Sequence, residues 1–592
     1  MKIRYLDGVR LYYAFLAGGN EVIKDQEYLN KINVFPVPDS DTGTNLASTM
    51  RSIAESSVPN SSVYQTLHSI ADAALSGARG NSGLIFAQFL HGLREEIKEM
   101  QRITTSSFGH IVKKAVHYAY QSVVTPVEET MLTVMKDWAE AVYQHRTQKQ
   151  DFVDLLYHSI KISKKSLKNT QNKLPVLAKA GVVDAGAKGF VDFLEGIHNF
   201  IKKGKLEKIP KPISQKEDQG FHVHKTKASL EHRYCTEALI VGQNMNLDSI
   251  RKEVIPFGSS TIVAGSDEKI RIHIHTNKPA DLFYRLKDFG TIAQIKADDM
   301  KKQYEASYER KSKIAVVTDS ACDLPQEIID QYQIQVIPFY ISFDGSQFLD
   351  KITITPNMFY SLLKTHKKLP KSSQPPLKTV QNLFSFLASH YESMVVVNIS
   401  DKLSGAYQLS LKASSTVPNK KISVINSRHL SASLGLIVLR VAEEIQQGKS
   451  HEEIVETAGK WISKTKILVD IQTLKYMVRG GRVSPMKGFL SKILNLKPIV
   501  SLDSEGRAVA YGKSFSRKGN MKKIIQRMKE MTQNEKLWNY ALVHAQNRKR
   551  AEKYAKKIKE SLHWDPAYIV DIAPVVGVHN GIGAVGIALM FQ

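Results

Sequence analysis

Cysteine is scarce in this chain of 592 residues, which contains only Cys235 and Cys322. Two cysteines are too few for a disulfide framework, and this number is typical of a reducing compartment. The chain also lacks any run of about 18 apolar residues that could cross a membrane. Residues 1–19 lack the long apolar core of a signal peptide. We therefore expect a cytoplasmic protein.

Acidic residues are outnumbered by basic ones, and the formal net charge is +25. A basic protein invites a nucleic-acid interpretation, but the lysines and arginines are scattered along the chain. No basic stripe is interleaved with aromatic residues, and no recognition motif is present. We therefore expect no specific nucleic-acid binding. The alternative is a solvated basic face that makes at most peripheral contact with anionic lipid.

The length indicates several domains, because a domain typically has about 100–200 residues. Residues 1–201 show helical spacing of apolar positions and predict an all-α domain. Residues 202–227 are polar, charged and interrupted by proline, which is typical of a linker. Residues 228–308 follow a β-α-β-β-α-β pattern and predict a small ferredoxin-like α+β module. Residues 312–592 alternate short buried strands with helices and predict an α/β domain whose sheet is mostly parallel at its start.

The segment NVFPVPDSDTGTNL, residues 33–46, contains an acidic turn with two carboxylates close together. Asp39 and Asp41 repel each other, a cost that a bound cation offsets, and oxygen ligands favour Mg²⁺ over zinc or copper. The alternative is an Asx-turn that caps a helix beginning near Thr44.

Three further turns of small residues follow in the same helical segment. SGARGNSG, residues 76–83, is glycine-rich, so its backbone N–H groups could approach phosphate oxygens closely. TPVEETMLTV, residues 125–134, and AGVVDAGAKGF, residues 180–190, have a similar character. Small residues also allow tight helix packing, and this structural alternative stays open for each turn taken alone.

The order of these motifs resembles the ATP-binding domain of the dihydroxyacetone kinase family (DhaL type), in the version found in the kinase subunit of bacterial fatty acid kinase. The resemblance covers residues 1 to about 200 and implies an up-down helical barrel that binds ATP with two Mg²⁺ ions. It implies Mg²⁺ ligands at Asp39, Asp41 and, by a looser match, Asn33; phosphate contacts at Thr42, Thr44, Asn45, Asn81, Ser82 and Gly83; and base or ribose contacts at Thr130, Met131, Asp184 and Gly186.

Two residues depart from that family's pattern. Ser40 stands between the aspartates where glycine is usual, and Glu129 stands where glycine usually precedes Thr130. An extra carboxylate near a nucleotide would weaken its binding. These departures favour an alternative in which the helical domain binds nucleotide poorly or without turnover.

The middle segment contains a cysteine and two histidines on predicted strands. His273 and His275 are two residues apart, so their side chains point to one face, and Cys235 lies on another strand of the same module. Cysteine and two histidines could supply three zinc ligands, whereas the alternative is that the histidines are ordinary exposed strand residues. The segments RYCTEALIV and IRIHIHTNKP resemble the middle domain of the same kinase protein, which implies a zinc site with a structural or interface role.

The C-terminal segment contains groups suited to a carboxylate ligand. Ser404 and Gly405 precede a predicted helix, Arg482 offers a permanent charge, and His579 offers a further donor. A serine helix cap is the alternative explanation for Ser404. Residues 313–592 resemble the DegV family, which implies a two-lobed domain that encloses an acyl chain and binds its carboxylate through Ser372, Ser404, Gly405, Arg482 and His579. After His579 the sequence Asn-Gly-Ile-Gly replaces the more familiar Thr-Gly-Pro-Gly.

Together these resemblances imply a fatty acid kinase, with ATP and Mg²⁺ bound in one part and a long-chain fatty acid in the other. The product would be an acyl phosphate for phospholipid synthesis, with an acyltransferase as its user and a homodimer as the expected assembly. Asp39, Asp41, Arg482 and His579 are the implied catalytic group, the last two as orienting residues. The alternative is a lipid-binding regulatory protein with an inactive kinase-like domain. A kinase for a small hydroxyketone is disfavoured, because it would leave the DegV-like half without a role.

Overall fold

The computed structural model describes residues 2–35, 40–203, 231–366, 368–482 and 497–592. The chain forms two compact units, Met1–Tyr304 and Glu305–Gln592. Within the described residues, no helix combines the length and apolar character needed to cross a membrane. Of the predicted linker at 202–227, only the first two residues are described, and they end a helix.

The first part of unit 1 is helical, with ten helices among its described residues. Its helices are α1 Gly8–Lys24, α2 Gln26–Lys31, α3 Thr42–Ser56, α4 Val63–Gly77, α5 Gly80–Ile97, α6 Thr105–Ser122, α7 Met131–His145, α8 Phe152–Lys173, α9 Pro175–Ala180 and α10 Ala185–Lys203. Two short strands, β1 Tyr5–Asp7 and β2 Arg102–Thr104, pair antiparallel.

Side-chain caps explain where several of these helices begin. The Asp7 carboxylate accepts a hydrogen bond from the Arg10 amide at the start of α1, and Ser62 accepts from the Gln65 amide at the start of α4. Thr104 and Ser107 form a reciprocal capping box at the start of α6. Local sequence therefore determines these helix boundaries.

An aromatic cluster holds three of the long helices together. Phe86 and Phe89 of α5 pack edge to face with Phe193 and Phe190 of α10, with ring centroids 4.9 and 5.9 Å apart. Trp138 of α7 packs against Phe190 at 5.6 Å. Because such buried aromatic contacts restrict helix orientation, they hold α5, α7 and α10 in position relative to one another.

The remainder of unit 1 is a small α+β module with the predicted β-α-β-β-α-β order. It comprises β3 Tyr234–Val241, α11 Leu247–Val254, β4 Gly258–Gly265, β5 Lys269–Thr276, α12 Pro279–Leu286 and β6 Thr291–Asp299. The next helix, α13 Met300–Tyr308, begins in unit 1 and ends in unit 2. The strand order is β4-β5-β3-β6, and every neighbouring pair is antiparallel.

The strands of unit 2 are β7 Ile314–Asp319, β8 Gln335–Ile337, β9 Tyr340–Phe343, β10 Ser346–Leu349, β11 Lys371–Ser373, β12 Ser393–Asn398, β13 Lys421–Asn426, β14 Thr465–Asp470, β15 Lys497–Leu502, β16 Ala508–Ser514, β17 Leu537–His544, β18 Ile569–Asp571 and β19 Val585–Phe591. They form two main sheets and one small sheet. The first main sheet has the order β13-β12-β7-β8 and is entirely parallel, as predicted for the start of this segment. The second has the order β16-β15-β14-β19-β17-β18 and is antiparallel except for β17 and β18. The small sheet has the order β10-β9-β11.

Unit 2 also has ten helices among its described residues. Its helices are α14 Gln326–Gln331, α15 Pro356–Thr365, α16 Leu377–His390, α17 Ala406–Ser414, α18 Ser431–Gln446, α19 His451–Ser463, α20 Lys475–Arg479, α21 Arg517–Asn534, α22 Arg548–Leu562 and α23 Pro574–Asn580.

A fully buried carboxylate connects distant segments of unit 2. The Asp323 carboxylate accepts hydrogen bonds from the Ser431 hydroxyl at 2.5 Å and from the Ala573 amide at 3.0 Å. The Lys351 ammonium lies 3.1 Å from the same carboxylate. A buried charge is tolerated only when it is paired and hydrogen-bonded, so this node depends on all three partners.

We expect the substitution Asp323→Ala to destabilise unit 2 by about 3 kcal/mol, because it leaves the half-buried Lys351 without its carboxylate and two buried polar groups without their acceptor. Calorimetry of the full chain should show the unfolding midpoint of this unit lowered by about 5–10 °C. The exposed Asp565, which pairs with Lys559 at the surface, provides the matched control. Asp565→Ala should shift the midpoint by less than about 1 °C, and an equal effect of both variants would contradict the role of the buried node.

Candidate functional site

All four motif turns of the helical region lead into the amino end of a helix. The acidic turn precedes α3, the glycine-rich turn precedes α5, and the other two precede α7 and α10. A helix amino end carries unpaired N–H groups and a partial positive charge, so it attracts anions. Each of the four turns therefore lies beside a partial positive charge and unpaired N–H groups.

Close backbone contacts bring these helix ends together. A Cβ atom on Gly80 would lie 2.1 Å from Asn45 Nδ2, so the start of α5 touches the first turn of α3 directly. A Cβ atom on Gly186 would lie 3.2 Å from Ser82 Oγ and 3.3 Å from Met131 Sδ, so the starts of α10, α5 and α7 also meet. The four motifs thus converge at one end of the helical region.

The acidic turn is described from Ser40 onward, and Asp39 lies outside the described residues. Asp41 occupies the position before α3 but makes no side-chain capping hydrogen bond. The capping alternative therefore does not explain the Asp41 carboxylate, which is half-buried. The helix begins at Thr42, two residues before the predicted start near Thr44.

Asn33 organises this turn from a buried position. Its Oδ1 atom accepts hydrogen bonds from the amides of Thr42, at 2.9 Å, and Asp41, at 3.1 Å. These two bonds occupy both acceptor sites of the amide oxygen, so this atom is committed to the backbone. The family resemblance matched Asn33 only loosely with a metal ligand, and the structure places it as the support of the turn.

The two positions that depart from the family pattern both have left-handed backbone conformations. The φ angle is 57° at Ser40 and 64° at Glu129. This region costs a residue with a Cβ atom about 1–2 kcal/mol, which explains why glycine is usual at both positions. The Glu129 carboxylate lies 2.7 Å from the Lys173 ammonium, so its charge is compensated locally.

Asp184 ties two of the helix ends together. Its Oδ1 atom accepts a hydrogen bond from the Ala187 amide at 2.7 Å. Burial raises the pKa of the Asp184 carboxyl to about 6, although hydrogen bonds from the amides of Ala187, Met131 and Gly186 act to lower it. The carboxylate therefore positions the start of α7 relative to the start of α10.

The remaining predicted nucleotide contacts lie in the same first turns. Thr42, Thr44 and Asn45 are buried in α3, and Asn81, Ser82 and Gly83 lie in α5. Thr44 Oγ1 accepts a hydrogen bond from Asn30 Nδ2 at 3.0 Å, and Thr130 Oγ1 donates to the Val127 carbonyl at 2.7 Å. Within the described residues, Asn81 Oδ1 is buried without a hydrogen-bond partner, and such an orphaned atom fits a site that a polar ligand completes.

The middle module brings Cys235, His273 and His275 together on one face of its sheet. Their ligand atoms all lie within 4.8 Å of one another. Cys235 pairs with His275 across β3 and β5, and its Sγ atom is 4.0 Å from His273 Nδ1. Thiol and imidazole groups at this spacing fit a zinc ion, and three protein ligands would leave a fourth position open.

This cluster lies near the acidic turn. Burial raises the pKa of the Cys235 thiol well above its ordinary value, and the charges of Glu237, Asp298 and Asp41 raise it further against the effect of Lys296. The interaction with Asp41 shows that the middle module and the start of α3 are close enough for their charges to interact.

Glu237 is a residue of this region that sequence reasoning missed. Its side chain is 2% exposed, and its Oε1 atom accepts a hydrogen bond from the Gly80 amide at 2.9 Å. Burial acts to raise its pKa, but the His273 hydrogen bond and the charges of Lys296 and Arg271 lower it well below the ordinary value. Its position two residues after Cys235, on the same strand face, was the available signal.

A cavity of about 280 Å³ in unit 2 contains all the predicted carboxylate contacts. Its apolar lining comes from residues such as Phe339, Leu403, Leu430, Ile467 and Val469. Ser372, Ser404, Gly405, Arg482 and His579 also line the cavity. An apolar cavity with a few polar groups suits a ligand that has one polar end.

Direct contacts connect these polar groups. Ser372 Oγ lies 3.3 Å from His579 Nε2, and Arg482 donates to the carbonyls of Leu403 and Gly480. Burial, together with the nearby Arg482 charge, lowers the pKa of His579 to about 4. At neutral pH His579 is therefore an uncharged hydrogen-bonding group, and Arg482 supplies the positive charge.

Gln374 is a cavity residue that the sequence analysis did not single out. A Cβ atom on Gly405 would lie 2.8 Å from Gln374 Oε1, so the amide stands beside the Ser404–Gly405 turn. Its place directly after Ser372 and Ser373, in the motif KSSQPP, was the signal that could have identified it.

Three family models match successive stretches of the chain. Residues 36–199 match the DAK2 domain, and residues 231–307 match the FakA-like middle domain of fatty acid kinase. Residues 313–592 match the family described as uncharacterised protein, DegV family. The three matches follow one another along the chain in this order, and this order is similar to the architecture of fatty acid kinase.

Two curated relatives come from Staphylococcus epidermidis, and both are described as uncharacterized. The first is 29% identical over 512 residues, which covers 81% of this chain and 88% of the relative. The second is 34% identical over 299 residues, which covers 49% of this chain and 54% of the relative, so the match spans about half of that relative's length. Among solved structures, DegV, a fatty acid binding protein from Bacillus subtilis, is 28% identical, with coverage of 48% of this chain and 100% of that chain and a TM-score of 0.45.

We expect Ser40→Gly and Glu129→Gly to stabilise the chain by about 1 kcal/mol each, because glycine adopts the left-handed conformation without a Cβ clash. The loss of the ion pair between Glu129 and Lys173 should cost little stability, because such pairs near the surface contribute little. Calorimetry should show a raised unfolding midpoint for unit 1. Lys165, exposed in the middle of α8 of the same unit, is the control, and Lys165→Gly should instead cost about 1 kcal/mol. Destabilisation by all three substitutions would contradict this account of the turns.

The lowered pKa of His579 also predicts how binding of a long-chain carboxylate such as oleate depends on pH. Between pH 6 and 8 the His579 imidazole should stay uncharged, so the dissociation constant should change by less than about twofold. Titration calorimetry of the full chain measures this constant. A tenfold weakening between pH 6 and 8 would instead show that a protonated His579 binds the ligand.

Proposed function

We propose that this chain is a fatty acid kinase, which uses ATP and Mg²⁺ to convert the carboxylate of a bound long-chain fatty acid into an acyl phosphate. The observation that carries the proposal is the convergence of the amino ends of α3, α5, α7 and α10, with the Asp41 carboxylate uncommitted to a helix cap. The matching domain order supports the same function. The proposal also includes two folds: the helical region is an up-down helical barrel, and the middle module is ferredoxin-like.

The helical region binds the nucleotide in this proposal. Amide groups in the first turns of α3 and α5 bind the phosphates, and residues near Met131 and Gly186 contact the base or ribose. The acidic turn fits Mg²⁺, because Asp41 offers a carboxylate free of capping, and Asp39 would join it as a ligand. When bound, the metal neutralises charge on the transferred phosphoryl group.

The cavity of unit 2 binds the fatty acid. Its carboxylate is ionised at neutral pH, so it needs no general base to become nucleophilic. Arg482 orients this carboxylate by its charge, and the neutral His579 and Ser372 provide hydrogen bonds. Catalysis then depends chiefly on positioning the carboxylate oxygen at the γ-phosphate.

The Cys235, His273 and His275 cluster binds zinc in this proposal, with a structural or interface role. When bound, the ion supplies positive charge that stabilises the thiolate form of Cys235. The cluster fits because its three ligand atoms already lie within 4.8 Å of one another.

The nucleotide site and the fatty acid cavity lie in different compact units, so transfer requires them to approach each other. We propose that this happens in the cytoplasm, within one chain or between the two copies in a homodimer. The acyl phosphate product is an activated acyl donor, and an acyltransferase of phospholipid synthesis would use it.

A lipid-binding regulatory protein with an inactive kinase-like domain is the second candidate. The left-handed Ser40 and Glu129 favour it, because strain in two turns of the nucleotide site could impair turnover. The pairing of Glu129 with Lys173 opposes it, since that contact compensates the extra charge.

The test is acyl phosphate formation by the purified full chain with ATP, Mg²⁺ and oleate, trapped as hydroxamate with hydroxylamine. We expect Asp41→Asn to lower the yield by at least about 100-fold and Arg482→Ala by at least about tenfold, because each removes charge from one substrate site. Asp41→Asn should retain oleate binding, and Arg482→Ala should retain nucleotide binding.

Matched controls are the exposed residues Asp267 and Arg479. Asp267→Asn and Arg479→Ala should form hydroxamate at the unchanged rate. An unchanged chain that binds ATP and oleate but forms no hydroxamate would favour the regulatory candidate.

A further inference from the structure

The sheet of the middle module presents a largely charged face to the helical region. Side chains alternate along β3, β5 and β6, and the residues on this face are Cys235, Glu237, Arg271, His273, His275, Lys296 and Asp298. The opposite face is apolar and includes Ile240, Ile270, Ile272 and Ile274. Sheets with one buried apolar face usually expose the polar one to water, but here most of the charged face is covered: Glu237, Arg271, His273 and His275 are buried, whereas Lys296 and Asp298 are partly exposed.

The covered face contacts the end of α4 and the start of α5. Arg271 Nη1 donates to the Ser76 carbonyl at 2.9 Å, and the Lys269 ammonium lies 2.5 Å from the Asp72 carboxylate. At the edge of the sheet, the Gly265 amide donates to Gln88 Oε1 at 2.8 Å. These contacts place the module directly over the glycine-rich turn.

Glu237 makes the contact that reaches this turn itself. Its Oε1 atom accepts from the Gly80 amide, which belongs to the first residue of α5. That amide has no partner within its own helix, so a side chain 157 positions away in sequence satisfies it. Arg271 Nη2 lies 3.3 Å from the other carboxylate oxygen, which holds the Glu237 side chain in place.

Gly80 cannot shift without disturbing the candidate phosphate contacts. It has a φ angle of 56°, and its Cα atom is in such close contact with the Asn45 side chain that a Cβ atom would lie 2.1 Å from Nδ2. Asn81 and Ser82 follow it directly. The orientation of the Gly80 amide therefore sets the positions of groups on both α3 and α5.

We propose that Glu237 is a positioning residue through which the middle module holds the glycine-rich turn in its nucleotide-binding form. The inference deepens the proposed function, because it requires that the helix ends bind nucleotide, but it does not require phosphoryl transfer. The same carboxylate lies 3.6 Å from His273 Nδ1, so the Cys-His-His cluster and the turn share this one residue.

Two conservative substitutions separate the positioning role from a purely electrostatic one. Glu237→Gln keeps an oxygen that can accept from the Gly80 amide but removes the negative charge. Glu237→Asp keeps the charge beside Arg271 and Lys296 but shortens the side chain, so the oxygen no longer reaches that amide. Glu237→Ala removes both properties, and Glu268→Ala, at an exposed glutamate of the same module, is the control.

The measurement is the dissociation constant of Mg-ADP for the full chain by titration calorimetry. We expect Glu237→Asp and Glu237→Ala to weaken binding about tenfold or more, with Glu237→Gln within about threefold of the unchanged chain and Glu268→Ala indistinguishable from it. Circular dichroism verifies that each variant is folded.

Stronger weakening by Glu237→Gln than by Glu237→Asp would overturn the proposal, because the charge and not the reach would then matter. Equal binding by all the variants would also overturn it. An unchanged chain that does not bind Mg-ADP would refute the nucleotide site itself. A chain that binds Mg-ADP but forms no acyl phosphate would refute only the kinase function and leave the positioning role standing.

Discussion

The meeting of several helix amino ends is the constraint on which the rest of unit 1 depends. Each end carries about half an elementary positive charge, so bringing like ends together is unfavourable. Gly80 and Gly186 allow the approach, because any side chain there would collide with or crowd its neighbours. Negative groups offset the repulsion: Asp184 accepts amide hydrogen bonds between two of the ends, and Glu237 accepts one at a third. The partial positive charge of these helix ends therefore explains both the negative side chains placed between them and the suitability of this end of the helical region for an anion such as phosphate.

Charged groups that hold the fold together differ in solvent exposure from charged groups that keep hydrogen-bonding capacity. In unit 2, Asp323 and Asp470 are fully buried, and each is surrounded by hydrogen-bond donors of the chain itself. Their carboxylate oxygens accept hydrogen bonds that hold distant segments of the chain together. Asp41 and Arg482 are more accessible, and they keep capacity for a ligand. A charge that the fold needs for itself is buried and satisfied, whereas one available for binding stays near an opening.

Local features of the candidate site were predictable from the sequence, and long-range ones were not. The turns around Asp41, Gly80, Met131 and Asp184 are short motifs, so their residue types could be interpreted one turn at a time. The Cys-His-His grouping followed from side-chain alternation on strands. The contact between Glu237 and Gly80 joins residues far apart in sequence, and no local pattern encodes it. Asn33 shows that a local motif can also be ambiguous. The sequence does not reveal whether an asparagine oxygen supports a turn, as Asn33 does, or binds a metal.

The antiparallel register of β3 and β5 aligns Cys235 with His275 and Glu237 with His273. Because side chains alternate with a period of two, a slip of one residue would turn these groups toward the apolar helices of the module and expose isoleucines to the charged interface. Insertions or deletions within these strands would therefore be tolerated only in pairs. A change of strand length by one residue would therefore disperse the Cys-His-His cluster and remove the support of the glycine-rich turn together, although no residue of either had been replaced.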